Sequence, residues 1–320
     1  MLDQLRRRDF PALTRTIEAA VQALERDYQT EPNLGVIMTT FDSADETLTP
    51  LLDAWVKREP RNPFARLARA RHFSGLAWER RGGALANATS EQQFANMTVT
   101  FEKAKLDAEA ALGLRPGLTH AFAVLIKHAQ ATGGARACEE LARRALAAAP
   151  ASYRVWTSLM NCVRPRWGGS HERMQALANQ ARSVGAANPR LSSLAGSVDH
   201  DLALVAFEQK DYLAAAVAEE RALEFGDDAN FYEMLGKALY RLGSYGPARE
   251  AFDRASALSP QGVTTLIDQA YLAAWTGDVS LARRQLDLAR LIDPTYDGFK
   301  EFPQEWLTTK RHPDGSPVVQ

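Results

Sequence analysis

Two cysteines in 320 residues, Cys138 and Cys162, are too few for a disulfide framework and suit a reducing compartment. Cys138 falls at a small-residue packing position and Cys162 beside one, so inert helix-packing roles are expected of both. No apolar run approaches the ~18 residues of a membrane span, so no membrane partner is expected. The start, Met1-Leu2-Asp3-Gln4-Leu5-Arg6-Arg7-Arg8, has basic residues with no apolar stretch after them; no secretory signal is expected, and the default compartment is the cytoplasm. Charge of one sign is lacking too. Thirty-eight Lys+Arg stand against 39 Asp+Glu, for a formal net charge of -1, whereas coating nucleic acid needs a clear cationic excess. No nucleic-acid partner is expected.

Catalytic signatures are equally scarce. There is no His-Glu-x-x-His, no Gly-x-Ser-x-Gly, no phosphate-binding glycine loop and no Cys-x-x-Cys. His120 and His128 lie near one helix face but two turns apart, too far to share a metal, and are expected at the surface. His171 and Glu172 are suited to acid–base work, but nothing sets up their third partner. The chain therefore reads as a protein without cofactor, metal or catalytic residues.

What the chain does have is a pattern written twice between Ala229 and Pro294. Tyr232, Leu235, Gly236, Leu239, Gly243, Tyr245, Ala248, Phe252, Ala255 and Pro260 recur, at the same spacing, as Leu266, Gln269, Ala270, Ala273, Gly277, Val279, Ala282, Leu286, Ala289 and Pro294. Only Gln269 breaks the apolar or small character. The first four positions share one face of a helix, and the residues at 248, 252 and 255 share one face of a second. Gly236 and Ala248 are small where two helix backbones approach. Gly243 and Gly277 end first helices, and Pro260 and Pro294 stop second ones. This spacing resembles the tetratricopeptide repeat, a helical hairpin with a period of about 34 residues. The resemblance implies an all-α, helical-hairpin solenoid wound as a right-handed superhelix, with about six hairpins and a concave surface for binding.

Upstream, residues 3 to 27 read as a helix pair with a shortened first member, and 28 to 50 lose the pattern. From Pro60 to Pro116 is 116 − 60 = 56 residues, about 22 more than one period, which places an insertion near 80–90. Pro116 to Pro150 is one period, 150 − 116 = 34. The expected organisation is an N-terminal helical region at 1–60, divergent repeats at 61–195, three repeats at 196–295, and a capping segment with a tail at 296–320. Trp55…Pro60, Ala77-Trp78 with Arg81-Gly82, and Pro165-Arg166-Trp167-Gly168-Gly169-Ser170 before a Met174-containing helix resemble an uncharacterised bacterial family, the domain of unknown function 4034 family. That resemblance implies a fold and a bacterial origin, and no activity.

Two sites are expected. In the tetratricopeptide arrangement the concave face takes His120, Lys127 and Gln130, then Arg154, Thr157, Asn161 and Arg164, then Ser197, His200 and Phe207, then Asn230, Glu233, Lys237 and Tyr240. The middle of this groove is cationic and amide-rich, which favours an acidic peptide or a chain-terminal carboxylate. The other is an anion site at Arg166, Gly168, Gly169 and Ser170, where glycines and a helix N-terminus would offer amide donors. The competing reading of that loop is a turn in which Trp167 plugs a seam. Tyr271 and Trp275 would be a peptide hot spot if exposed, or covered by a cap containing Phe299, Phe302 and Trp306. The function that emerges is a non-catalytic scaffold or adaptor for a protein or peptide partner. The alternatives are a toxin-immunity or inhibitor protein, and an enzyme or small-anion sensor at 164–172. Oligomeric state and partner identity are not legible.

Overall fold

Several helix starts in this chain are capped by Asp, Asn or Ser side chains. Asp9 accepts from the Ala12 amide ahead of α2 (Phe10–Arg26), Asn62 from Phe64 ahead of α5 (Pro63–Arg81), and Asp278 from Leu281 ahead of α16 (Val279–Ile292). Ser90 and Gln93 form a reciprocal capping box on α6 (Glu91–Leu114). The computed structural model describes residues 1–83, 88–296 and 298–307. Among them are seventeen α-helices and no strand. The centre of the expected insertion, 84–87, and the tail from 308 to 320 lie outside the described residues.

The chain divides into two compact units, Met1–Leu194 and Ala195–Gln320. The second holds the hairpins α11/α12 (Ser197–Glu208, Tyr212–Leu223), α13/α14 (Ala229–Arg241, Tyr245–Leu258) and α15/α16 (Val263–Trp275, Val279–Ile292). Here the repeat pattern is realised as packing. Ala248, Phe252, Ala255, Leu266, Ala270, Ala273, Ala282, Leu286 and Ala289 are all buried. A Cβ on Gly236 would sit 2.6 Å from the Phe252 ring, so the close approach of α13 and α14 requires glycine. The one polar interruption, Gln269, is buried and satisfied: its amide donates to Asp253 at 2.8 Å and its carbonyl accepts from Ser256 at 3.1 Å. A short helix α17 (Gly298–Glu301) and a 3-10 turn (Gln304–Leu307) follow, bringing Phe302 and Trp306 onto Tyr271 at ring distances of 4.8 and 5.9 Å.

In the first unit, α1 (Leu2–Arg6), α2, α3 (Glu31–Thr39) and α4 (Thr49–Arg58) surround Trp55, which is fully buried and stacked on Phe10 at 5.8 Å. The segment from 28 to 50, patternless in sequence, is ordered by burying Leu34, Met38 and Phe41. Its backbone lies directly on α5: a Cβ on Gly75 would fall 2.1 Å from the Asp42 carbonyl oxygen. The hairpin of α5 and α6 is longer than the repeats, at 19 and 24 residues, and is tied by Arg66 and Arg69 to the buried Asp107. Then follow α7 (Thr119–Thr132), α8 (Gly134–Ala148), α9 (Tyr153–Cys162) and α10 (His171–Ser183). Each unit holds three hairpins, and each is all-α with tetratricopeptide-like packing.

The cysteines are not the free packing residues expected. Cys138 of α8 and Cys162 of α9 form a disulfide, with Cα atoms 6.5 Å apart. They are 24 residues apart in the chain, and the side-by-side packing of α8 and α9 brings them together. The ground for expecting a reducing compartment is thereby removed. No helix among the described residues is long and apolar enough to cross a membrane.

Candidate functional site: a cationic cleft on α5, α7 and α9

Helical spacing places Ala123, Val124, Lys127 and Gln130 on one side of α7, Arg154, Ser158 and Asn161 on one side of α9, and Arg71 and Ser74 on one side of α5. These faces meet, with Asp42, around a cleft of about 230 Å³. α9 is set in place by a distant residue. The buried Glu31 carboxylate, at the start of α3, accepts from the Ser152 hydroxyl at 2.5 Å, the Tyr153 amide at 2.7 Å and the Arg154 amide at 3.3 Å, capping α9 from outside its own hairpin.

Three cations face this space and only one is neutralised. Arg71, buried, pairs with Asp42 and donates to the Met38 carbonyl at 3.0 Å. Among the described residues no carboxylate lies within ion-pair distance of Lys127 or of the Arg154 guanidinium. Burial pushes the Arg154 guanidinium down to about 10, with the Arg71 charge adding to the effect. Lys127 is also held below the usual lysine range, by burial first and then by the Arg71 and Arg154 charges against the opposing pull of Asp42. By surface area Lys127 is exposed. Its side chain reaches solvent while its ammonium stands among neighbouring groups that displace water, the Trp78 ring lying 5.8 Å away. Unneutralised cations gathered in a cleft with two amides and two hydroxyls form an arrangement for holding an anion. Gln130 and Asn161 lie close enough for the Gln130 amide to reach the Asn161 carbonyl at 3.5 Å.

The other expected residues are placed differently. His120 is not at the surface: it is 1% exposed, its Nε2 has no hydrogen-bond partner, and burial holds the imidazole well below its usual range. The reason is that the first turn of α7 faces inward, where His120 shares a cavity with Val21 of α2, Leu34 of α3 and Leu67 of α5. His128 is half-buried and bonds Glu102 at 2.8 Å. In the second unit Lys237 contributes no free positive charge, since its ammonium lies 2.7 Å from Glu233 and 3.2 Å from Asp268. Glu233 also accepts from Thr265 at 2.5 Å. Tyr240 packs against Tyr245 and Trp275, and His200 bonds the fully buried Glu219 at 2.7 Å. Of the expected groove cations, Lys127 and Arg154 line the first unit's cleft. Arg164 stands outside it, at the head of the glycine loop.

That loop offers no open amides for an anion at residues 167–169. Trp167 and Gly169 donate to the Arg164 carbonyl and Gly168 to that of Pro165. Gly168 adopts φ +84°, and a Cβ on Gly169 would lie 1.8 Å from the Val163 carbonyl oxygen. The Ser170 hydroxyl accepts from the Arg173 amide as the cap of α10. Glu172 is held below the usual carboxylate range by Ser170 and by its own amide. Arg164 and Arg166 are engaged in contacts of their own, and Trp167 packs edge-on against Trp78 at 6.3 Å.

Asp42, Arg71, Ser74 and Ser158 were not singled out by sequence. The first three come from outside the α7 and α9 hairpins, and only tertiary packing brings them there. A partial signal existed in Arg71-His72, a polar pair among the apolar residues of α5.

No protein-family model matches the chain. No curated protein matches it in sequence. Among solved structures it is similar to PilF of Pseudomonas aeruginosa, at 20% identity over 75% of this chain and 99% of that one, with a TM-score of 0.37. It is also similar to PilW, a widely conserved type IV pilus biogenesis factor (16% identity, 63% and 90% covered, TM-score 0.35). A third likeness is to YrrB, a tetratricopeptide-repeat protein with an unusual peptide-binding site (13% identity, 78% and 98% covered, TM-score 0.29). Superpositions this loose carry nothing about ligand or partner. The likeness to the domain of unknown function 4034 family stays a likeness of the quoted residues.

Proposed function

We propose that this chain is a non-catalytic protein-binding scaffold whose cleft on α5, α7 and α9 takes hold of an acidic side chain or chain-terminal carboxylate of its partner. The observation that carries this reading is the convergence of Lys127 and Arg154 with no carboxylate to pair them. A guanidinium and an ammonium supply directed donors to a carboxylate, and Gln130 and Asn161 stand where they can bond the adjoining peptide backbone. The cleft is too small for a folded domain and suits an extended segment. In the second unit two carboxylates, Glu233 and Asp268, flank the one ammonium of Lys237, which disfavours anion capture there. An immunity role would use the same cleft, and the partner's identity would distinguish it.

The test is fluorescence anisotropy with a labelled Gly-Asp-Asp-Asp-Asp peptide ending in a free carboxylate, and with its lysine counterpart. Lys127→Glu with Arg154→Glu should keep the circular dichroism of the parent and weaken binding of the acidic peptide by about a hundredfold, two charged hydrogen bonds being lost. Equal binding by parent and double variant, or equal binding of the acidic and basic peptides, would remove the cleft from the function.

A further inference from the structure

The cleft owes half of its polar groups to α9, and α9 is a poor candidate for independence. It has ten residues, short of the length at which an isolated helix persists, so its position depends on tertiary ties. At its amino-terminal end the ties are polar and strong: the Glu31 carboxylate on the Ser152, Tyr153 and Arg154 donors, and the Asn188 amide on the Ala151 carbonyl at 2.9 Å. Its carboxyl-terminal end is made differently. In the second unit, α13 and α15 each run through a tight glycine turn into the next helix. After α9, eight residues from Val163 to Ser170 intervene before α10 begins. The covalent tie at this end is the disulfide from Cys162, the last residue of α9, to Cys138 in the first half of α8.

Asn161 is the neighbour of Cys162 and lines the cleft; Ser158 is one turn earlier, and Arg154 one turn before that. The bond therefore acts first on Asn161, the lining residue next to it. We propose that the Cys138–Cys162 disulfide is a redox latch on the cleft, whose reduction releases the last turn of α9 and weakens anion binding; this rests on the reading of the cleft as the binding site. In the reduction one S–S bond breaks, each sulfur gains one electron and one proton, and a dithiol reductant closes to its own disulfide. Two thiols need more room than one bond, and both sulfurs sit in a close-packed seam, so α9 must move away from α8 at that end. The Glu31 clasp holds the other end. The motion is accordingly a fraying from Asn161 back toward Ser158, with Arg154 the last to be disturbed.

The experiment uses the full chain, oxidised and after dithiothreitol, with the Gly-Asp-Asp-Asp-Asp probe and hydrogen exchange read by mass spectrometry. The expected result is about fivefold or more weaker binding on reduction, with amides at 159–163 losing protection and those at 153–156 keeping it. Cys138→Ser with Cys162→Ser should bind as the reduced form does in both buffers. Equal affinity of oxidised and reduced protein overturns the latch and leaves the cleft reading standing. No binding by the oxidised protein overturns both. Global loss of the helical signal on reduction also overturns the latch, since the bond is then a cross-link for the whole unit; this arm needs only the wild-type protein.

Discussion

Glu219 makes the second unit's stability a function of pH, in a direction opposite to that of most carboxylates. It lies on α12 with no exposed surface; one oxygen bonds His200 at 2.7 Å and Oε2 has no hydrogen-bond partner. Burial pushes the carboxyl up to about 7, with the nearby Asp228 and Asp199 charges acting the same way against the His200 bond. An acid that binds its proton more tightly folded than unfolded stabilises the fold when protonated. That contribution is full below the unfolded value near 4.5 and is lost as pH rises through about 7. At pH 8 both states are ionised and the contribution is near zero. At pH 6 the folded carboxyl favours its proton about tenfold while the unfolded one does not, which gives about 1.4 kcal/mol. Asp268, also raised to about 7 by burial, adds to the slope, so the wild type alone does not isolate Glu219. The difference between wild type and Glu219→Gln reads the Glu219–His200 pair as one unit, because Gln keeps an acceptor for His200 and removes the carboxyl's titration. Urea denaturation at pH 6 and pH 8, with the transition assigned to α11–α13 by hydrogen exchange, should show the wild type gaining about 1.4 kcal/mol more on acidification than the variant. Identical pH slopes in the two proteins would refute the reasoning.

Two substitutions test the packing itself. Ala248→Arg buries a charge where α14 meets α13, at a site with no exposed surface, and should cost about 4 kcal/mol or more, read as collapse of the second unit's urea transition; an unchanged transition would show that the repeat register is wrong. Gly169→Ala should cost about 2–3 kcal/mol in the first unit, because the new methyl meets backbone rather than a movable side chain; a melting temperature within error of the parent would contradict the close approach to Val163.

The groove reading shows how far spacing reaches. Lys127, Arg154 and Asn161 were named from their positions within a repeat, and they line one cleft. The same rule put His120 beside them, and it fails because His120 turns inward, toward a cavity it shares with Val21, Leu34 and Leu67. Lys237 was placed on the concave face, and Glu233 four residues before it takes up its charge, a pairing that helical spacing allows. His200 needed Glu219 from the next helix, and Asp268 reaches Lys237 from the next hairpin. The glycine loop was legible as unusual. Which of its amides stayed open depended on Val163 and Arg164, whose carbonyl positions no residue type announces.

By itself the sequence determined what is local: helices from apolar residues three and four apart, their starts from Asp, Asn and Ser, their stops from glycine and proline, and the small residues at which paired helices touch. These follow from geometry within about one hairpin, where side-chain size and backbone preference act directly. Tertiary structure alone decided the fold of 28–50, the placing of Arg71 and Asp42 over α7, the Glu31 clasp on α9 across 122 residues of chain, and the pairing of the two cysteines. Each joins segments whose separation in sequence carries no period, and each is fixed by which helix faces the stack leaves for the next segment to cover.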